Sequence, residues 1–453
     1  MNVGIIGAGF AGLSAAYELA RQGHEVTVYE AAPQAGGLAS GFRAPGWAWA
    51  LERFYHHIFA SDRTILELAE TIGFQDRVFF RSPVTAQWWQ GRAYPIDGAN
   101  PLDAALNVLR FPATPPLDRL RFGLVVAYLK YGVRDWRPLE RTTAAEWSRR
   151  WMGPRVYRAI IQPLLEGKFG PHAREVNMAW LWARFKARTF RLGYFQGGFQ
   201  AFADALVEAV RAQGGRVCLG TPVVGLRPTA GGNAWELRLP DGAERFDRIV
   251  ATVPPSALGR LVPDLPSGYL QRLLDLKSLG AVVLIVALDR PLTDGLYWVN
   301  LDKRDFPMLA LVEHTNYIEP AHYAGDHLIY LGDYLPANHP YFDLSTEALF
   351  EVYEPALRRL NPDYSRAWVR NMWSFKARYA QPVVPVNYSE HIPPLRTPLP
   401  GLYFASMSQV YPWDRGTNFA VEIGQRVAHL LIRDIMNSPN GWSVYVPTHP
   451  QAP

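Results

Sequence analysis

The sequence predicts an α/β fold of two interleaved regions, and three observations predict it. The first 30 residues read strand, glycine turn, helix, strand. Short apolar runs of the buried-strand kind return near residues 250 and 402, after long insertions. The 453 residues are 49% hydrophobic and 19% charged, enough to bury the cores of two or three domains. A Rossmann-like unit carrying a mixed-sheet and helical region is the arrangement that accommodates all three.

Val3-Gly4-Ile5-Ile6 suits a central parallel strand. Gly7-Ala8-Gly9-Phe10-Ala11-Gly12 follows, and Leu13 to Arg21 has helical spacing that Gly23 ends. Glu25 to Glu30 alternates and is rich in β-formers. Residues 81–96 read as a hairpin turning at Gln90-Gly91. Residues 101–192 read as mostly helical, broken at the proline run 112–116. A Gly197-Gly198 pair precedes a helix over 199–213, and strands are expected at 216–219, 235–239 and 248–252. A strand at 281–288 opens a mixed region running to about residue 392. A strand at 401–405 and a helix at 418–437 close the fold. Residues 438–453, with four prolines, read as a coil.

Composition narrows the function classes. The single cysteine, Cys218, excludes a disulfide scaffold and a thiolate metal cluster. The histidines show no metal-ligand spacing, so no metal is expected. The net charge is +5, yet Arg110 to Arg191 alone holds 17 basic and 6 acidic residues, an excess of +11. No nucleic-acid-binding motif accompanies that excess, so nucleic acid is not expected as a partner. No apolar segment reaches the roughly 18–20 residues that span a bilayer, and the N-terminus lacks the basic start of a secretory leader. The expected setting is cytoplasmic. Peripheral docking of the basic helical segment on a membrane surface is the less favoured alternative.

The glycine turn carries the chemistry. Gly7 permits a tight turn, Gly9 lets a pyrophosphate approach the backbone, and Gly12 lets helix and strand pack closely. The free N–H groups of the following helix stabilise phosphate. Glu30 ends the second strand, where a carboxylate accepts ribose hydroxyls and repels a 2′-phosphate. Ala35-Gly36-Gly37-Leu38 adds a second close approach for a longer cofactor.

From Gly7 through Leu38 the chain resembles the FAD-binding head of the flavin amine oxidase superfamily, which includes protoporphyrinogen oxidase, carotenoid desaturases and UDP-galactopyranose mutase. Arg216 to Val223 with Asp247 to Pro254 resembles its middle segment, and Gly401 to Ala405 with Gly416 to Val421 its closing segment. The resemblance implies FAD held by Gly7, Gly9, Phe10, Ala11, Gly12, Glu30, Ala31, Gly36, Gly37, Leu38, Val223, Thr252, Pro254, Ser406, Gly416, Thr417 and Asn418, and Cys218, on the adenine-side strand, is misplaced for a flavin bond, so noncovalent FAD is expected. Ser406 stands where relatives carry an acidic residue. The implied domains are an FAD unit of residues 1–80, 195–270 and 395–437, and a substrate unit of residues 81–194 and 271–394.

Candidate catalytic residues follow from the same resemblance and from side-chain chemistry. Glu52 to Phe59 corresponds to the stretch that runs along the flavin, which places His57 and then His56 beside it, with Glu52 and Arg53 as an ordinary ion pair. Arg415 suits a substrate anion, and Tyr379 and Tyr411 are candidates for a pocket wall. Leu284 stands where amine-oxidising relatives carry a lysine. The expected activity is hydride transfer from a small apolar or anionic substrate to FAD. A mutase-like non-redox reaction on a nucleotide sugar or glycosyl lipid is the alternative, and a non-catalytic flavin-binding protein a third.

Overall fold

A computed structural model describes residues 1–98 and 100–437, so the coil expected at 438–453 lies outside the described residues. The first sheet is five-stranded and all parallel. Its order is Arg216–Cys218, Glu25–Tyr29, Asn2–Ile6, Arg248–Ala251, Leu402–Phe404. Three distant stretches of chain thus meet in one sheet. Asn2–Ile6 sits at its centre and is nearly all buried, which is why that run is apolar without alternation. Helix Phe10–Arg21 packs on the sheet and against the last helix, Thr417–Asn437. The approach is so close that a Cβ on Gly424 would stand 2.2 Å from the Ala11 carbonyl oxygen.

The second large sheet has seven strands and is mixed. Its order is Val369–Pro382, Ser278–Leu288, His327–Leu335, Ala310–Glu313, Leu296–Asn300, Val84–Trp89, Arg92–Pro95. The last two strands are the expected hairpin, and Gln90 and Gly91 both take positive φ at its turn. Ser278–Leu288 is covered on both faces. Val282, Leu284, Val286 and Leu288 pack with Leu349 and Phe350 of helix Thr346–Leu360, while Val283, Ile285 and Ala287 join the core around Tyr330. Each fully buried aliphatic side chain contributes about 1.5–3 kcal/mol, so this one strand fixes its own register firmly.

Helices dominate between Pro101 and Ala187. The last of these helices ends at Ala187, short of the expected 192, and Leu192–Phe195 is a strand. It pairs with Ile58–Phe59 and Val78–Arg81 in a small sheet that spans the expected divisions near 80 and 194. Two helices of this region leave apolar faces outward. Leu102, Leu106 and Leu109 are exposed on Pro101–Arg110, and Leu117, Leu120 and Leu124 on Pro116–Ala127, followed by Tyr128 and Tyr131.

Candidate functional site

The glycine turn has the geometry its residues predict. Gly7 takes φ +104, and its N–H donates to the Tyr29 carbonyl at 2.8 Å. A Cβ on Gly12 would stand 1.9 Å from the Gly7 carbonyl oxygen, so this position admits no side chain. A Cβ on Gly9 would meet only the Gly37 Cα, at 3.8 Å. That leaves open space over the start of helix Phe10–Arg21, whose first N–H groups have no intrahelical partner. Thr252 braces the turn, its hydroxyl donating to the Ile6 carbonyl at 2.9 Å. The Glu30 carboxylate accepts the Ala8 N–H at 2.8 Å and the Ala32 N–H at 2.9 Å. It therefore pins the turn, with a lone pair on each oxygen left for hydroxyl donors.

Gly9 bridges to Gly36, and Gly36 donates to the Ala8 carbonyl. Two residues on, Leu38 lines a cavity of about 280 Å³. His56, His57, Arg415, Gly416, Thr417 and Asn418 line the same cavity. Burial pulls the His56 imidazole down to about 4 and the His57 imidazole down to about 3, so both are neutral near pH 7. His56 Nδ1 faces the Phe54 carbonyl at 2.5 Å, which makes that nitrogen the protonated one. His57 Nδ1 lies 3.1 Å from the Tyr55 hydroxyl. The Thr417 hydroxyl is buried without a hydrogen-bond partner at the start of helix Thr417–Asn437. Asn418 Oδ1 instead accepts the Ile65 N–H and ties this helix to Arg63–Thr71.

Beside Arg415, the same cavity is lined by Lys168, Arg184 and Asp414, which sequence reasoning missed. Lys168 Nζ donates to Asp414 Oδ2 at 2.5 Å, and Arg184 reaches the same oxygen at 3.4 Å. Burial pulls Lys168 down to about 7 against the attraction of Asp414. Burial alone would raise Asp414, but Lys168, Arg184 and Arg415 hold its carboxyl below the usual range. Arg415 Nε donates to Gln381 Oε1 at 3.1 Å, and its guanidinium also meets the Tyr334 hydroxyl. Tyr297, Trp298 and Tyr330 add an aromatic wall.

Other expected residues stand elsewhere. The Tyr379 hydroxyl bonds Ser408 Oγ at 2.6 Å, and the Tyr411 hydroxyl donates to Glu140 and accepts from Asn177. Neither tyrosine lines the cavity, because these neighbours hold both in a separate buried network. Ser406 is buried too, its N–H donating to Gln409 Oε1 at 2.7 Å. The Phe10 side chain stacks in the core on Phe202, which leaves only its backbone for a ligand. Ala11 likewise offers backbone, and Ala31 lies exposed just past Glu30. Val223 sits half-buried beside the sheet edge, and Pro254 caps helix Pro255–Leu261.

One pairing differs from expectation. Glu52 does not pair with Arg53. It accepts the Tyr194 hydroxyl at 2.6 Å and the Phe199 N–H at 2.7 Å, and burial pushes it up to about 7. Leu284 faces away from the cavity, whereas Ala281 and Val283 of its strand line it. Alternation along the strand forces this. The lysine on the cavity wall is Lys168, from a helix.

The family model described as flavin containing amine oxidoreductase matches residues 10–432. The chain belongs to that family. Among relatives of this flavin family, a carotenoid φ-ring synthase of Chlorobaculum tepidum is 28% identical over 327 residues, covering 66% of this chain. The match spans 46% of the synthase, about half the relative's own length. A solved structure assigned as a protoporphyrinogen oxidase from Exiguobacterium sp. superimposes with a TM-score of 0.74 at 18% identity, covering 95% of this chain and 98% of that one. Reduced UDP-galactopyranose mutase gives 0.71 at 15%, covering 95% and 96%. These two likenesses establish the shared fold. The residues present fit the family's flavin. The open backbone at Gly9, the unpartnered Thr417 hydroxyl and a free helix start at the cavity are places where a bound group would meet donors.

Proposed function

We propose that the chain is an oxidoreductase that holds FAD noncovalently and oxidises a small organic substrate in the cavity. One observation carries the reading. The nucleotide-type turn and the cavity are joined through Gly36–Leu38, so a cofactor long enough to span both sites would begin at one and end in the other. The Gly7–Gly12 backbone would take the pyrophosphate, Glu30 the ribose, Val223 the adenine, and Thr417 with its helix start the far ring edge. FAD would supply a hydride acceptor. The chain's own part is to exclude water with its aromatic wall, to orient substrate by Arg415, and to present His57 as an uncharged hydrogen-bonding group. Cys218 lies on the edge strand beside Tyr29 and does not line the cavity, which favours noncovalent attachment.

Purified protein should be yellow, and denaturation should release intact FAD. A substrate should bleach the flavin band without oxygen. Turnover only after prior reduction of the flavin, with no net redox change, would instead support the mutase-like reading. No helix of the described residues is long and apolar enough to cross a membrane. The exposed leucine faces over 102–124, within and beside the basic segment, favour peripheral docking on an anionic bilayer.

A further inference from the structure

Four cationic side chains line the cavity: Lys168, Arg184, Arg188 and Arg415. Three carboxylates also line it. Asp333 binds Lys303 at 2.5 Å through Oδ2 while its Oδ1 is buried without a hydrogen-bond partner, and Asp62 accepts the Phe59 N–H at 2.8 Å. Asp414 is left to serve both Lys168 and Arg184. Arg188 meets Asp97 at 3.3 Å and, at 43% side-chain exposure, stands toward solvent. The Arg415 side chain has no carboxylate within ion-pair distance among the described residues and bonds Gln381 and Tyr334, while its backbone N–H donates to Asp414 Oδ1 at 3.1 Å. The guanidiniums keep their charge at every working pH. The four cations thus outnumber the three carboxylates in a cavity that Tyr297, Trp298 and Tyr330 also line. A cation entering it meets repulsion in a low-dielectric site, and an oxyanion supplies the missing partner.

We propose that the cavity takes an organic oxyanion, a carboxylate or phosphate joined to an apolar body, and turns away alkylammonium substrates, although the family is named for amines. The inference rests on the reading of this cavity as the substrate site. Arg415 and Arg184 grip the oxyanion, Arg188 draws it in from the mouth, and Tyr297, Trp298 and Tyr330 receive the apolar body. Lys168 holds Asp414 Oδ2 at 2.5 Å, so that carboxylate is shared with the lysine as well as with Arg184.

The test uses protein reconstituted with FAD and three probes of related shape: 3-phenylpropanoate, phenyl phosphate and 3-phenylpropylammonium. Binding is read from the shift of the flavin band and, separately, from the melting temperature. At least one anion should bind at least about tenfold more tightly than the ammonium probe. Which anion binds more tightly distinguishes carboxylate from phosphate. Arg415→Met and Arg184→Met should each weaken anion binding about tenfold, and Arg415→Lys should restore part of it. An ammonium probe that binds as well as the anions, or anions that bind by neither readout, overturns the proposal. The flavin spectrum without probe tests the cofactor reading by itself. If no flavin is held, the melting titration of the bare protein still decides the anion question.

Discussion

Gly12 and Gly9 are both glycines of one turn, and they fail differently. A methyl at Gly12 would collide with the Gly7 carbonyl oxygen, so Gly12→Ala should destabilise the protein by about 1–3 kcal/mol even without cofactor. Gly9 has room, and what a side chain would fill is the approach to the helix start. Gly9→Val should fold, melt near the parent temperature and retain no flavin. A variant that keeps its flavin would remove the turn from the binding site. Glu52 gives a pH prediction. Its folded pKa is raised to about 7, so between about 4.5 and 7 the unfolded chain ionises first and binds fewer protons. Stability contributed at this site is therefore intact at low pH and falls as pH rises through that window, by roughly 2–4 kcal/mol in all. Glu52→Gln should be more stable than the parent at pH 8 and no more stable at pH 4. Equal melting temperatures of the two proteins at pH 8 would show that Glu52 is not buried in this way. The residues that could be read from sequence were those tied to local pattern, such as Gly7, Gly12 and Glu30. Lys168 and Asp414 could not be, because their 2.5 Å contact joins positions 246 apart, and Lys168 is one of 17 basic residues in its segment.

Periodicity set the accuracy element by element. The hairpin turn at Gln90-Gly91 and the strand around 281–288 carry strong local signals, and both formed where expected. Leu192–Phe195 begins where the expected helical stretch ends and carries no strand signal of its own, because its strand partners, Ile58–Phe59 and Val78–Arg81, are more than 100 positions earlier in the chain. The helices Pro101–Arg110 and Pro116–Ala127 fall within the expected helical stretch, and the exposure of their leucines is what the structure adds. Spacing reveals an apolar stripe without saying whether a core covers it. Leu117, Leu120 and Leu124 recur at helical intervals, and Leu117 is 80% exposed. Their transfer into a bilayer interface would combine with arginine attraction of about 1 kcal/mol per charge near an anionic surface. The protein should float with phosphatidylserine-containing vesicles at low salt and less so at high salt. Replacing all three leucines by serine should abolish flotation and leave the fold intact. Flotation unchanged by the triple replacement would mean that another face, or none of this one, meets lipid.

The whole molecule is held together by returns of the chain. Its parallel sheet takes strands from residues 2–6, 25–29, 216–218, 248–251 and 402–404, and the last helix packs on the first. No single stretch of sequence contains the proposed cofactor site. Its pieces come together only when the insertions between them have folded, which makes this a topology of long loops and high closure entropy. A cofactor that contacts Gly9, Glu30, Val223 and Thr417 at once would therefore bind the native arrangement and nothing less. Bound at about 100 times its dissociation constant, such a ligand adds roughly 2.7 kcal/mol to stability. Stripped protein titrated with FAD should accordingly melt several degrees higher. The sheet that forms the turn and the sheet that walls the cavity should shift together, followed by near-ultraviolet circular dichroism and by tryptophan fluorescence. Gly9→Val should show neither shift. If FAD moved only one of two separate transitions, the cofactor would be contacting one region alone. The link through Gly36–Leu38 would then not carry a ligand from the turn to the cavity.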